Sequence, residues 1–491
     1  MAYVILDCYT DEPSGLGVPP CVGTYPRYIA GALKKAGHDF KYLTIDDLRA
    51  LKIESNPRSR KTNIKLRNLS SNSQEAHSLL SEAETIIVVS GIHTPGKYLS
   101  AFPGTAKEAS ALLVDFPGKK VLTGPAAASG EGLFGGRKAT THFLGFDEIL
   151  PDIEFKLAGE QSTSYDSLRE IALLGTGMVA QAPGFPNIVV EIETAKGCSR
   201  KVPCSFCTEP LKNKLQKRKV EDVVEEVKKL NSLGVVHFRL GKQADFFDKT
   251  EEEMESLLRG IRDACKLRTL HIDNADPVLV NEEKVKLVVK YCTPGNVAAL
   301  GAETFDPEVI KANNLHSAPE ATMNAIRIIN KYGAERGENG MPKCIPGINL
   351  LYGLKAESRE THDWNMKYLQ QIIDEGLLLR RINIRQVVVF LGTQLERECG
   401  MKFMKKNKKY YWKWRNDIRH KIDNPLLQTL VPKGTILKDV FMEVHDGNHT
   451  FGRQFGTYPL IVGLNEKVEL NRFYNIKVAG WMLRSIVGEV V

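Results

Sequence analysis

Short apolar runs alternate with helix-period stripes over most of the chain. In the first stretch, Tyr3 to Leu6, Phe40 to Leu43, Thr85 to Val89 and Lys120 to Thr123 read as buried strands, and Tyr25 to Ala36 and Ala106 to Leu113 read as helices between them. This order predicts a parallel sheet covered on both faces, a doubly wound domain over residues 1–151 followed by a linker over 152–186. Gly- and Pro-rich turns at Gly15 to Pro20, Gly91 to Gly96 and Gly124 to Gly130 lie after strands, at the carboxyl ends where such sheets bind ligands. The polar interval Asn56 to Glu75 reads as an exposed loop.

The alternation resumes over residues 187–396. Strands are expected at Ile188 to Glu193, Val235 to Leu240, Thr269 to Asp273, Val297 to Gly301, Ile345 to Leu351 and Ile384 to Val389. The helix between the first two carries an apolar stripe at Val220, Val223, Val224, Val227 and Leu230. Six such units predict a (β/α)6 partial barrel. Residues 397–433 form a basic, aromatic connector. Residues 434–491 are punctuated by glycine, with strands expected at Val440 to Val444, Leu460 to Val462, Lys467 to Leu470 and Tyr474 to Gly480, a small β-barrel. The fold class is α/β.

With 491 residues the chain can bury several cores, and its 42% hydrophobic and 26% charged residues are ordinary for a soluble protein. No apolar run reaches the ~20 residues of a membrane span, and the start reads as a core strand rather than a signal peptide. A cytoplasmic protein without a membrane partner is expected. Nine scattered cysteines do not form a disulfide framework.

Three of those cysteines stand together as Cys198, Cys204 and Cys207, directly after the strand ending at Glu193, with Phe206 between the last two. Three thiolates can hold three corners of a [4Fe–4S] cube and leave one iron open to an outside ligand. A zinc site would want a fourth Cys or His, and no His lies between Ile188 and Pro210. Zinc, or thiols without metal, are the competing readings. The run resembles the radical S-adenosylmethionine (radical SAM) superfamily. It departs from the usual motif in having five residues, Ser199 to Pro203, between the first two cysteines where three are usual.

The resemblance implies a bound [4Fe–4S] cluster, S-adenosylmethionine (SAM) and a low-potential electron donor. It also implies SAM contacts at the strand ends. Gly241 and Gln243 follow the second strand, Asn274 the third and Glu303 the fourth, and Asn349 lies in the fifth, where Gly347 to Leu354 resembles the segment along the adenine. Phe206 would cover the cluster. Turn-forming or helix-capping roles are the bland alternative for each polar residue.

Residues 1–151 resemble the B12-binding-like, Rossmann-like domain that precedes many radical SAM barrels, without the Asp-x-His-x-x-Gly run that supplies an axial histidine. Either cobalamin binds there or the domain only shapes the substrate entrance. The C-terminal segment resembles the TRAM domain of radical SAM tRNA methylthiotransferases, notably at Glu443, Val444, Gly452 and Arg453. Only Cys8 and Cys21 precede the motif, short of the three thiols a second cluster would need. Cys265, Cys292, Cys344 and Cys399 read as packed thiols. The layout as a whole is similar to an archaeal-type group of radical SAM proteins that share the runs Leu6 to Pro13 and Pro26 to Gly31.

Lys405, Lys406, Lys408 and Lys409 beside Trp412 and Trp414, together with Arg453, point to RNA, tRNA first, as the substrate. A solvated helix face with its aromatics turned inward is the alternative. The expected function is radical modification of an RNA carbon. The rival readings are a cobalamin-dependent or other radical SAM enzyme for a small molecule or protein, and an RNA-binding protein with a structural cluster.

Overall fold

In the computed structural model the described residues are 3–10, 16–52, 68–92, 99–131 and 137–491. Gly15 of the first turn, residues 93–96 of the second and residues 56–67 of the polar loop lie outside them.

The N-terminal sheet is wholly parallel, in the order Phe40–Thr44, Tyr3–Asp7, Thr85–Val89, Lys119–Thr123, Glu148–Ile149. Numbered along the chain this is 2-1-3-4-5, a doubly wound order. Alternation divides its side chains between two cores. Leu6, Leu43, Val88 and Leu122 pack on one face among the domain's own helices. Ile5, Ile87, Val89 and Val121 on the other join a core that continues into the barrel.

The barrel strands are Val189–Glu193, His237–Gly241, Thr269–Ile272, Asn296–Glu303, Cys344–Tyr352 and Arg381–Gln386. The third strand breaks at Asp273: Thr269–Ile272 pairs with the second strand, and Asn274–Ala275 pairs with the fourth. The outer edge of the first strand is taken by Cys21–Val22 of the N-terminal domain, paired parallel to Val189 and Val190. The open side of the barrel therefore has a cover supplied by the first domain.

The segment read as a linker is folded. Its helix Tyr165–Leu174 crosses the N-terminal helix Thr24–Lys35 at two glycines, where a Cβ on Gly31 would stand 1.8 Å from the Ile171 carbonyl oxygen and one on Gly175 would stand 1.9 Å from that of Arg27. At the same place Arg27 and Arg218 converge on Glu226, all three buried. Arg27 also donates to the Glu191 carbonyl at 2.5 Å, and Arg218 to that of Glu193 at 3.1 Å. Burial alone would raise the Glu226 carboxyl, but Arg218 and Arg27 outweigh it and hold the group below its ordinary value.

The expected connector is the barrel's last helix. Lys402–Ile418 buries Met404, Asn407, Tyr411, Trp414 and Ile418, a stripe spaced three and four residues apart, against the fifth and sixth strands. The C-terminal barrel closes with five strands, Ile436–Asp446, His449–Arg453, Ile461–Leu464, Phe473–Trp481 and Ile486–Val490. Lys467 to Leu470 is not a strand, and the segments at His449 and Ile486 take the places that close the barrel.

This small barrel plugs the amino-terminal mouth of the partial barrel. Phe455 meets the His237 ring edge-on at 4.8 Å, Thr457 donates its amide to His271 at 2.9 Å, and Arg380 donates to the Pro459 carbonyl at 2.9 Å. Tyr458 reaches inward to Asp273 at 2.8 Å. No helix among the described residues is long and apolar enough to cross a membrane.

Gly31→Ala forces helix backbone against helix backbone and should cost about 1–3 kcal/mol or more. Gly177→Ala, whose Cβ would meet nothing within 4 Å, should be nearly neutral. Paired urea unfolding curves check this, and equal midpoints would mean that the crossing is not tight.

Candidate functional site

The cysteine loop leaves the carboxyl end of the first barrel strand, at the mouth opposite the plug. The two extra residues of its first interval are anchored. Arg200 donates to the Asn314 carbonyl at 2.6 Å and to the Cys204 sulfur at 2.9 Å. Ser205 bonds Asn313 through both its amide (3.0 Å) and its hydroxyl (2.7 Å). The longer loop is thus held by a turn at residues 313–314 rather than left loose.

The three thiols are electrostatic neighbours. Burial pushes Cys204 up to about 12, with Arg200 pulling the other way and Cys207, Glu303 and Cys198 adding to the rise. Burial likewise pushes Cys207 up to about 11. These thiols keep their protons until a metal replaces them. Phe206 and Cys204 pack against an apolar patch of Val309, Leu315, Leu354, Val387, Val389 and Leu395, which backs the loop. Three cysteines within electrostatic reach of one another, on an anchored loop with an apolar backing, are the donor set of a three-cysteine [4Fe–4S] cluster, though as they stand they are not drawn in around a single metal ion. All nine cysteines are free, and Cys265 and Cys344 are buried in the core.

The strand-end residues divide. Glu303 ends the fourth strand in a left-handed conformation (φ 60°), after a bulge that shifts the register from Leu300, and it lies close enough to Cys204 to raise its thiol. Such strain in a non-glycine residue concentrates at functional positions. Asn349 accepts from Asn383 at 3.1 Å, and Asn383 in turn accepts from Arg385 at 3.2 Å. Asn274 is half-buried and donates to the Gln243 carbonyl at 3.3 Å.

Gln243 is turned inward. It is buried, accepts from the Thr194 hydroxyl at 3.0 Å and donates to the Leu240 carbonyl at 3.0 Å, so its side chain braces the turn. Gly241 has its own reason to be glycine: a Cβ there would stand 2.3 Å from a Glu191 carboxylate oxygen.

The residues assigned to RNA also divide. Lys405, Lys406, Lys408, Lys409 and Trp412 are exposed on one face of the last barrel helix. Trp414 is not available to a base, because it is buried between the rings of Tyr352, His362 and Tyr410. Arg453 is not available to a phosphate. It makes a two-pronged pair with Glu443 (2.6 and 2.9 Å) and reaches Ser100 and Pro19 of the first domain, with its side chain 13% exposed. A positive charge in sequence is a phosphate ligand only if no carboxylate has claimed it.

Sequence reasoning missed Lys242. It is half-buried in a left-handed conformation (φ 53°), paired with Glu193 at 2.5 Å and centred 4.1 Å over the Tyr25 ring. Glu193 also accepts from Tyr165 at 2.7 Å. Tyr25, Glu193 and Lys242 line a cavity of ≈ 250 Å³ where the two domains meet, together with Gly124, Pro151 and Glu154 from the first part of the chain and Lys196 from the barrel. Burial raises the Glu154 carboxyl to about 7, against the pull of Lys242. The only sequence signal for this lining was its position after strands.

Cobalamin does not fit this cavity as it stands. Pockets for drug-sized ligands run to about 300–1,000 Å³, a corrinoid is larger still, and seven of the residues lining this one are charged.

Comparison with known proteins agrees with this geometry. Residues 192–364 match the family model "Radical SAM superfamily". The Methanocaldococcus jannaschii protein MJ0274, itself uncharacterised, is 41% identical over 99% of this chain and 93% of its own length. The ribosomal protein uS12 methylthiotransferase RimO of Clostridioides difficile is 21% identical over 42% of this chain and 45% of its own. Among solved structures, the radical SAM methyltransferase TsrM of Kitasatospora setae, with tryptophan substrate and a SAM analogue bound, superposes with a TM-score of 0.51 at 12% identity, covering 83% of this chain and 76% of TsrM. At that identity the likeness is one of fold.

Replacing Cys198, Cys204 and Cys207 together by Ala should abolish the roughly four irons per chain and the near-400 nm absorption expected after anaerobic reconstitution of a cubane. Glu303→Gln should keep the iron and weaken SAM binding by about tenfold, the ~1.4 kcal/mol of a lost hydrogen bond to a charged partner. Equal loss of iron and SAM would make Glu303 a structural residue.

Proposed function

The chain belongs to the radical SAM superfamily and to one family with MJ0274, and from that premise we propose that it modifies a carbon atom of a small polar substrate held where the first domain meets the barrel. The observation that carries this reading is the charged cavity beside the cysteine loop. Glu209 and Lys212, which line it, stand two and five residues after Cys207.

When bound, the cluster supplies the electron that splits SAM into methionine and a 5′-deoxyadenosyl radical able to take hydrogen from an unactivated carbon. Everything else falls to the chain. Cys198, Cys204 and Cys207 hold three irons, Arg200 braces the loop at Cys204, and Phe206 closes the apolar side. Glu303 offers a carboxylate to the polar groups of SAM, while Asn274 and Asn349 offer amides. A reactive radical survives only where water is excluded. The plug at the far mouth, the Cys21–Val22 strand along the open edge and the first domain over the top supply that exclusion. A low-potential electron donor is required. TsrM, whose named substrate is tryptophan, is a precedent of similar fold for a small substrate.

Anaerobic, reduced protein given SAM should release methionine and 5′-deoxyadenosine in equal amounts, slowly without substrate and faster with it. Chromatography of the quenched reaction reads both products. A fully clustered protein that leaves SAM intact would defeat the proposal.

RNA as substrate is the second reading, favoured by the exposed lysine face with Trp412. Its TRAM-like support is weaker, since the small barrel sits at the far mouth, roughly 17 Å away along a five-residue strand. Replacing Lys405, Lys406, Lys408 and Lys409 by Gln should reduce the salt slope of tRNA binding by up to about 0.7–0.9 per lost phosphate contact. Filter binding between two salt concentrations measures it, and an unchanged slope removes these lysines from any RNA site.

A further inference from the structure

We propose that the cavity between the first domain and the barrel is a binding site for a small dipolar molecule of amino-acid size, carrying one ammonium and one carboxylate group.

Volume sets the scale: ≈ 250 Å³ accommodates a molecule of about amino-acid size. Charge sets the class. Glu154 is 4% exposed and lines the cavity, and one of its carboxylate oxygens has no hydrogen-bond partner. A buried acceptor left unpaired is costly, and a ligand ammonium would satisfy it. Lys196 and Lys242 line the same cavity. Lys242 is already paired with Glu193 at 2.5 Å, whereas Lys196 donates to the Thr163 carbonyl and lies over the faces of Phe155 and Tyr165, with Glu193, Asp152 and Glu154 acting on it from farther away. Lys196 therefore offers charge to a carboxylate.

Neither a simple anion nor a simple cation suits these walls. Asp152, Glu154, Glu193 and Glu209 repel an anion such as phosphate, and Lys196, Lys212 and Lys242 repel a bare amine. Among the described residues no three His, Cys, Asp or Glu gather to hold a metal ion. A molecule bearing both charges satisfies both sets of groups, and the rings of Tyr25 and Phe155 leave an apolar surface for its body. Calling this ligand the substrate rests on the proposed function; its binding does not.

The test uses the full chain with its cluster reconstituted anaerobically. The probes are the common α-amino acids, their N-acetyl and carboxamide derivatives, and hydroxocobalamin, followed by equilibrium dialysis and thermal shift. At least one amino acid should bind with Kd below ~1 mM. Its N-acetyl and amide forms should each bind at least about tenfold more weakly. Glu154→Gln, nearly isosteric, should weaken binding of the free amino acid by at least about tenfold with iron content unchanged, and Lys196→Met should do the same.

Absence of binding by every amino acid at ~10 mM would overturn the proposal. So would affinity indifferent to Glu154→Gln or to N-acetylation, or stoichiometric hydroxocobalamin binding that amino acids cannot displace. Amino-acid binding by a chain that fails to cleave SAM would uphold the site and reject the enzymatic reading.

Discussion

Two arginines and one glutamate, buried at the meeting of three elements, decide how this molecule is put together. Arg27 comes from the first helix, Arg218 from the stretch entering the first barrel helix and Glu226 from that helix, and the arginines also satisfy carbonyls of the first barrel strand. Such a cluster gains little over apolar packing in net free energy, but each member left alone is costly. Its effect is geometric: only one placement of the first domain satisfies all three groups. The glycine crossing at Gly31 and Gly175 agrees with that placement, because the helix must come close for Arg27 to reach. A continuous apolar core runs beneath both.

From that fixed placement the two mouths of the barrel take different tasks. The amino-terminal mouth is closed by Phe455 against His237 at a strand start and by Thr457 against His271, with Tyr458 reaching farther in to Asp273. The carboxyl-terminal mouth carries the cysteines, the strained Glu303 and the charged cavity. Stability is concentrated at one end and chemistry at the other, in keeping with the way α/β barrels of parallel strands place their loops.

Much of this was legible beforehand. The strands of both sheets stand out because buried parallel strands are continuous apolar runs, and the cysteines and Glu303 could be placed because strand ends are countable. What escaped has a common cause. Trp414 and Arg453 were misjudged because composition does not say which face of an element a residue occupies. In the last helix the stripe Met404, Asn407, Tyr411, Trp414, Ile418 was hidden by the lysines between its members. The strand at His449 was hidden by polar and glycine residues, as befits a small barrel, and Lys467 to Leu470 alternates but joins no ladder, Val468 bonding the side chains of Thr450 and His445 instead. The cavity depends on a left-handed lysine and on two domains meeting, neither of which a linear pattern reveals.

The strand Cys21–Val22 bears on biosynthesis. A barrel sheet whose first strand has an uncovered edge is a template for pairing with another chain. Here the cover is made about 170 residues before the strand it protects, so a ribosome delivers it first. The nascent barrel finds its edge partner already folded beside it. A barrel expressed without the first domain would emerge with that edge bare, and its fate would be aggregation rather than a smaller working enzyme.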